Sequence, residues 1–263
     1  MTKNVASKRG RKMKHQIKLL FFALLASTSF AAPASAQERT ASKQGFVLEP
    51  NSGKKILVFR PTVVMGSQST GGLFEPNVAW TDEARRNLDN ALATKQTKLG
   101  NETIFAPDPV GDDAQKLQEH MALFEAVADS VIEYQFFTGN RLPTKKRDNK
   151  SDVFEWSLGK EVASLSGAAG SDYGLFIFNE DQFGSTGRKL LQVVAMFGPG
   201  IAVKSGEHKG YAGLVDLKTG DLLWLNADGA MGGDLRDPEG AEKRVLQLLE
   251  EFPGSALVKA KAE

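Results

Sequence analysis

Apolar residues along this chain fall into two patterns, short unbroken runs and stripes at three- and four-residue steps, and the two alternate. Runs of the first kind predict strands covered on both faces, and stripes of the second kind predict amphipathic helices. The densest passage is Tyr173 to Asn226. Tyr173-Gly-Leu-Phe-Ile-Phe-Asn179 reads as a buried strand, and Leu190, Val194 and Phe197 recur at helical spacing before a Gly198-Pro-Gly200 break. Leu214-Val-Asp-Leu217 and Leu222-Leu-Trp-Leu225 then flank Lys218-Thr-Gly-Asp221, a loop of hairpin length.

Upstream, Lys54 to Arg60 reads as a first, central strand, followed by a long loop from Pro61 to Trp80 that contains Gly66 to Gly72. Thr81 is placed to cap a helix whose stripe is Ala84, Leu88, Ala91 and Leu92. Gly100 stops that segment, and Thr103 to Ala106 forms a short strand. The longest predicted helix runs from Asp112 to Phe137, with Leu117, Met121, Phe124, Val127, Val131 and Tyr134 on one side. Pro143 to Ser151 is a basic loop, and Asp152 to Ser166 a further helix burying Phe154, Leu158, Val162 and Leu165. Asp237-Pro238 opens a last helix with Ala241, Val245, Leu248, Leu249 and Phe252 on its apolar face.

The order is therefore β-α-β-α-α-β-α-β-β-α. It predicts an α/β (α+β) fold: one layered domain over residues 54–253, with a mixed sheet of about five strands including an antiparallel hairpin, flanked by about five helices. Residues 37–53 read as a linker and 254–263 as a flexible tail. No internal repeat is present.

Composition alters this picture mainly at the N-terminus. Residues 1–36 carry seven Lys and Arg and no acid, then the apolar core Leu19 to Ala26, then Ala34-Ser-Ala36, which together make a cleavable export signal. The whole chain balances 33 bases against 32 acids. Cleavage after Ala36 leaves 26 bases against 32 acids, a net charge of −6, and electrostatic support for nucleic-acid binding disappears. Eight strongly apolar residues are too few to span a bilayer, and no later stretch is longer without a break. A periplasmic or secreted protein, soluble after signal cleavage, is the expectation.

The chain has no cysteine, which excludes a disulfide framework, a thiol nucleophile, thiolate metal sites and a lipidated N-terminal cysteine. Only His120 and His208 remain beyond the leader, in no metal-binding spacing, so neither a metal nor a cofactor is expected. No Gly-x-Ser-x-Gly elbow, P-loop or dinucleotide fingerprint occurs, and no catalytic residue is assigned. One candidate binding site stands out. Gly184-Ser-Thr-Gly-Arg-Lys189 joins a strand to a helix, and backbone amides there, with Ser185, Thr186 and Arg188, could hold a phosphate or carboxylate. The structural alternative is that Ser185 or Thr186 simply caps the helix.

Four sequence features together resemble a family. These are Ile56-Leu-Val-Phe-Arg-Pro61, Trp80-Thr-Asp-Glu-Ala84 opening a helix, Asp172-Tyr-Gly-Leu-Phe-Ile177, and the hairpin Leu214 to Trp224. The combination is similar to envelope α/β domains typified by the curli-secretion lipoprotein CsgG and the N-terminal domain of TolB. The resemblance implies a binding, assembly or secretion component, with an envelope protein as partner, rather than an enzyme. Two other readings stay open from the residues: a periplasmic hydrolase with its site near Gly66 or Gly184, and a protein that captures small anionic ligands.

Overall fold

The structure is a computed structural model describing residues 39–136, 153–196 and 206–255, all within one compact unit. The predicted leader, the basic loop Pro143 to Ser151, the Phe197 to Gly200 break and most of the tail lie outside the described residues. The spine of the fold is β7 (Tyr173–Gly184), a strand that continues five positions past Asn179 through the polar residues Glu180, Asp181 and Gln182. On one side it pairs in parallel first with β2 (Lys55–Val58) and then, farther along, with β3 (Thr62–Gln68). On the other it pairs antiparallel with β8 (Glu207–Asp216), which turns back into β9 (Asp221–Asp228) through the predicted hairpin.

The sheet is larger than the expected five strands. Among the described residues it has nine, because short segments pair at its margins. β5 (Glu102–Phe105) extends it in parallel beside β2, and β4 (Phe74–Pro76) folds back on β3. β1 (Arg39–Ser42) and β6 (Trp156–Ser157) both lie antiparallel along β9. Hence Pro61 to Trp80 is not a loop: Val63 and Met65 point into the core from β3, and the chain returns as β4. Arg39–Ser42, within the stretch read as a linker, is likewise paired strand.

Four α-helices pack around this sheet among the described residues: α1 (Val78–Lys95), α2 (Asp112–Val131), α3 (Thr186–Met196) and α4 (Pro238–Leu248). α1 starts earlier than predicted, because the Asn77 side chain accepts from the Trp80 N–H at 3.0 Å. Thr81 is therefore inside the helix, where its hydroxyl accepts instead from the Met65 N–H of β3. α2 ends at Val131 and passes into one wider π turn, Ile132–Phe136, rather than continuing to Phe137. α4 begins as expected, with the Asp237 carboxylate accepting from the Gly240 N–H at 2.9 Å.

The predicted helix Asp152 to Ser166 is not formed over its described part. β6 and a 3₁₀ turn, Lys160–Ser164, take its place. Gly159 and Gly220 bring two backbones into contact there, close enough that a Cβ on Gly220 would fall 2.0 Å from the Gly159 carbonyl oxygen. Phe154, Leu158, Val162 and Leu165 are nonetheless all buried, so the pattern reports their burial correctly and their period wrongly.

Strand alternation then separates two cores. Ile56, Val58, Leu175, Ile177, Leu214 and Trp224 face α1 and α4. Leu57, Phe59, Phe176, Phe178, Val215 and Leu225 face α2 and the 3₁₀ turn. α3 contributes no residue to either core. No described helix is long and apolar enough to cross a membrane.

Candidate functional site

β2 and β5 run parallel and stop at Val58 and Phe105, and the chain crosses from β2 to β3 through Phe59-Arg60-Pro61. Carboxyl ends of parallel strands, where connections diverge, are where an α/β sheet leaves a crevice. Two adjoining hollows occupy this position, of about 550 Å³ and about 240 Å³, sharing Arg60, Pro61 and Asp108. The larger is walled by α2, with Leu117 and Met121 supplying apolar surface, and by Arg85 of α1. The smaller runs toward Asp89 and Phe105.

The crevice carries both signs of charge. Arg60 Nη1 donates to Asp108 Oδ1 at 3.1 Å, and Arg85 Nη1 to Asp82 Oδ1 at 3.2 Å, each through a single contact that leaves other donors of the guanidinium available. The carboxyl groups of Asp89 and Glu125 have neither a hydrogen bond nor an ion pair among the described residues. Burial pushes the Asp89 carboxyl above its ordinary range, against the pull of Arg60 and Arg85. Burial also raises Glu125, against the pull of Lys209 and with help from Asp129 and Glu180. A half-desolvated carboxylate without a partner is relieved by a cation, and an Arg with spare donors by an anion. The sequence pointed to none of these residues. Arg60 ended a predicted strand, and Arg85 and Asp89 fall outside the predicted stripe of Ala84, Leu88, Ala91 and Leu92.

The site read from the sequence lies elsewhere, at the start of α3. Ser185 Oγ accepts from the Arg188 N–H at 3.3 Å, and the Ser185 carbonyl accepts from the Lys189 N–H at 2.9 Å, so Ser185 caps the helix. Thr186 is exposed in the first turn. Arg188 turns inward: its Nε donates to Gln68 Oε1 at 3.0 Å and its Nη1 to the Thr70 carbonyl at 3.4 Å. Gln68 also accepts from the Gly206 N–H and donates to Gln182 Oε1. The structure thus brings Ser185 and Arg188 together, with both engaged in holding α3 to the β3–β4 turn.

Holding α3 this way has a consequence for its other side. Arg188, Gln192 and Ala195 are partly covered, while Leu190, Leu191, Val193, Val194 and Met196 all face solvent, Leu190 at 64% and Met196 at 78% exposure. Leu190 and Val194 of the predicted stripe point outward, and Phe197 lies outside the described residues.

The two histidines are far from convergent. His120 Nδ1 lies 2.8 Å from the Lys116 carbonyl on the exposed side of α2. His208 Nδ1 lies 3.1 Å from Asp181 Oδ1, and the Asp181 carboxylate is fully buried against Arg244 of α4. Arg244, also fully buried, donates to both Asp181 oxygens at 3.1 Å, to Asn179 Oδ1, and to the carbonyls of Gly232 and Gly233. This network joins β7, α4 and the connection before α4. A sequence signal for it existed: Arg244 sits among Ala241, Val245 and Leu248 on the buried side of α4, where a charge requires a buried partner. Among the described residues no hydroxyl is hydrogen-bonded to His208, and no three acidic or His side chains cluster as metal ligands.

Comparison with protein-family models and with curated proteins gives no match. Among solved structures, the chain is similar to a PelC dodecamer from Paraburkholderia phytofirmans at 12% identity and a TM-score of 0.33, over 82% of this chain and 96% of that one. A form of the same dodecamer with one leucine replaced by methionine gives 11% identity and a TM-score of 0.32, over 83% and 99%. A neuraminyllactose-binding hemagglutinin homolog from Helicobacter pylori gives 10% identity and a TM-score of 0.32, over 84% and 94%. Likeness at this level says nothing about shared function.

Proposed function

We propose that this chain is an exported binding or accessory protein of the Gram-negative cell envelope, periplasmic and soluble after signal cleavage, and not an enzyme. It receives a segment of an envelope protein in the crevice between α1 and α2. The observation that carries this reading is the crevice itself. It stands at the carboxyl ends of parallel strands, is roomy enough for several side chains, and pairs apolar surface with under-used charges of both signs. A polypeptide segment supplies both signs and apolar groups together. The resemblance of the first strand and the hairpin to CsgG- and TolB-like domains points toward the same kind of role.

The test is a photo-crosslinking residue at Gln118, which lines the crevice, and a second at Lys218, in the β8–β9 turn at the opposite end of the sheet. The expected result in living cells is a discrete protein adduct from Gln118, absent from Lys218 and abolished by Arg60→Glu with Arg85→Glu. No adduct from Gln118, or the same adducts from both positions, would overturn the reading.

A further inference from the structure

β5 is the last strand on its side of the sheet, and a sheet that ends on a strand leaves one row of backbone groups unpaired. The ladder identifies these groups. The Ala106 N–H donates to the Val58 carbonyl at 2.9 Å, so in the parallel register of β5 against β2 it is Ile104 and Ala106 that turn their backbone toward β2. Thr103 and Phe105 turn theirs outward, each offering an N–H and a carbonyl, and no described strand lies beyond them. No lysine, proline or bulge within Glu102–Phe105 closes this edge, and Phe105 is 41% exposed on it.

The edge runs into the crevice. Phe105 and Ala106 line the smaller hollow, and Asp108, just past the strand, lines both. The register sets Phe105 beside Val58, on the side of the sheet that faces α1, and Asp89 and Leu92 of α1 wall the smaller hollow there. The larger hollow opens against α2, through Leu117, Met121 and Glu125. Successive side chains of a strand point to opposite faces. An extended segment laid along Thr103 and Phe105, and continued past the end of β5, sends its side chains to the two hollows in turn. A helical segment has no backbone groups to spare for the edge, since its own are bonded internally. A second copy presenting the same four residues adds only about 13 Å of edge, too little for a stable interface. Neither hollow reaches β1, at the other margin of the sheet.

We infer that the partner segment binds as an added strand on the outer edge of β5, an inference that rests on the crevice reading and specifies how the segment is held. Backbone hydrogen bonds to Thr103 and Phe105 fix it alongside the sheet, and the two hollows select its side chains. The ligand is an extended stretch of polypeptide, free of proline where it faces Thr103 and Phe105.

The experiment keeps the photo-crosslinking residue at Gln118 in living cells and changes the edge. Thr103→Pro deletes an outward N–H and leaves the bonds of Ile104 and Ala106 to β2 in place. Adduct yield from Gln118 should fall about fivefold or more, while the purified variant keeps the parent's cooperative melting. Thr40→Pro makes the matching change on β1, where the bond from the Lys43 N–H to the Leu223 carbonyl leaves the Thr40 N–H facing outward. It should leave the adduct at the parent's level. A crosslinking residue in place of Glu102, on the edge itself, should capture the same protein as Gln118, and it decides alone if Thr103→Pro fails to melt cooperatively. A folded Thr103→Pro with the parent's adduct yield would overturn the inference and leave the crevice reading standing. So would a Glu102 position that captures nothing, or only a second copy of this chain, while Gln118 captures its partner. No adduct from Gln118 in the parent overturns both.

Discussion

Arg244→Met removes one charge from the interior and keeps most of the aliphatic stem, so it isolates the role of the guanidinium. In the native chain that group makes two 3.1 Å contacts to Asp181, one to Asn179, and 2.8 Å bonds to the carbonyls of Gly232 and Gly233. Losing it leaves the Asp181 carboxylate fully buried with only His208 beside it. Breaking a buried pair from one side costs about 3–5 kcal/mol. Each carbonyl left without a donor adds up to about 1–3 kcal/mol, reduced wherever the connection before α4 relaxes toward water. A loss of about 4 kcal/mol is expected, a large part of a small domain's stability. Adding Asp181→Leu removes the stranded charge, so the double variant should recover about 1–3 kcal/mol relative to Arg244→Met alone. Urea unfolding followed by tryptophan fluorescence, with fully buried Trp224 as a reporter, measures all three forms. A loss below about 1 kcal/mol for Arg244→Met would refute the reasoning, as would a double variant less stable than the single one.

Two further substitutions examine other parts of the structure. Asp89 is held above the ordinary carboxyl value of 3.8, chiefly by burial, so its ionisation opposes folding. That penalty is complete above the raised folded value and disappears on acidification below 3.8. Asp89→Asn should therefore be more stable than the parent at pH 7 and indistinguishable from it at about pH 3, as urea midpoints at the two pH values will show. Gly213 of β8 receives the Phe124 ring, and a Cβ there would lie 2.4 Å from Phe124 Cε2. Gly213→Ala should cost about 1–3 kcal/mol through overpacking, partly regained by Phe124→Leu, with chemical denaturation as the measurement.

Much of the fold was legible because apolar patterning reports burial directly. β2 and β7 read as strands covered on both faces, and alternate residues of each enter opposite cores. α4 announced itself through Asp237-Pro238, and the hairpin through its four-residue loop. The marginal strands were not legible, because β1, β4 and β6 have four residues or fewer and exist through their partners rather than their own pattern. Phe154, Leu158, Val162 and Leu165 mimic a helical stripe, yet Gly159 and its contact with Gly220 hold that segment in a tighter turn. The crevice was illegible for a related reason. Arg60, Arg85, Asp89, Asp108 and Glu125 come from four separate segments, and each is ordinary in its own neighbourhood.

α3 exposes a limit of a different kind. A stripe at helical spacing establishes that a helix has an apolar side, and the usual inference that this side faces inward assumes that the domain's own core is what covers it. In this chain Arg188, one residue of the polar side, reaches Gln68 and Thr70 and turns the helix over. The same arginine is the one that the sequence offered as an anion ligand, and in the structure its Nε and Nη1 donate to Gln68 and Thr70. Places where local pattern and tertiary placement disagree without a structural reward are where function is to be sought. By that criterion α3 and the crevice qualify. The Asp181–Arg244 pair does not, since its polar groups are matched to one another within the fold.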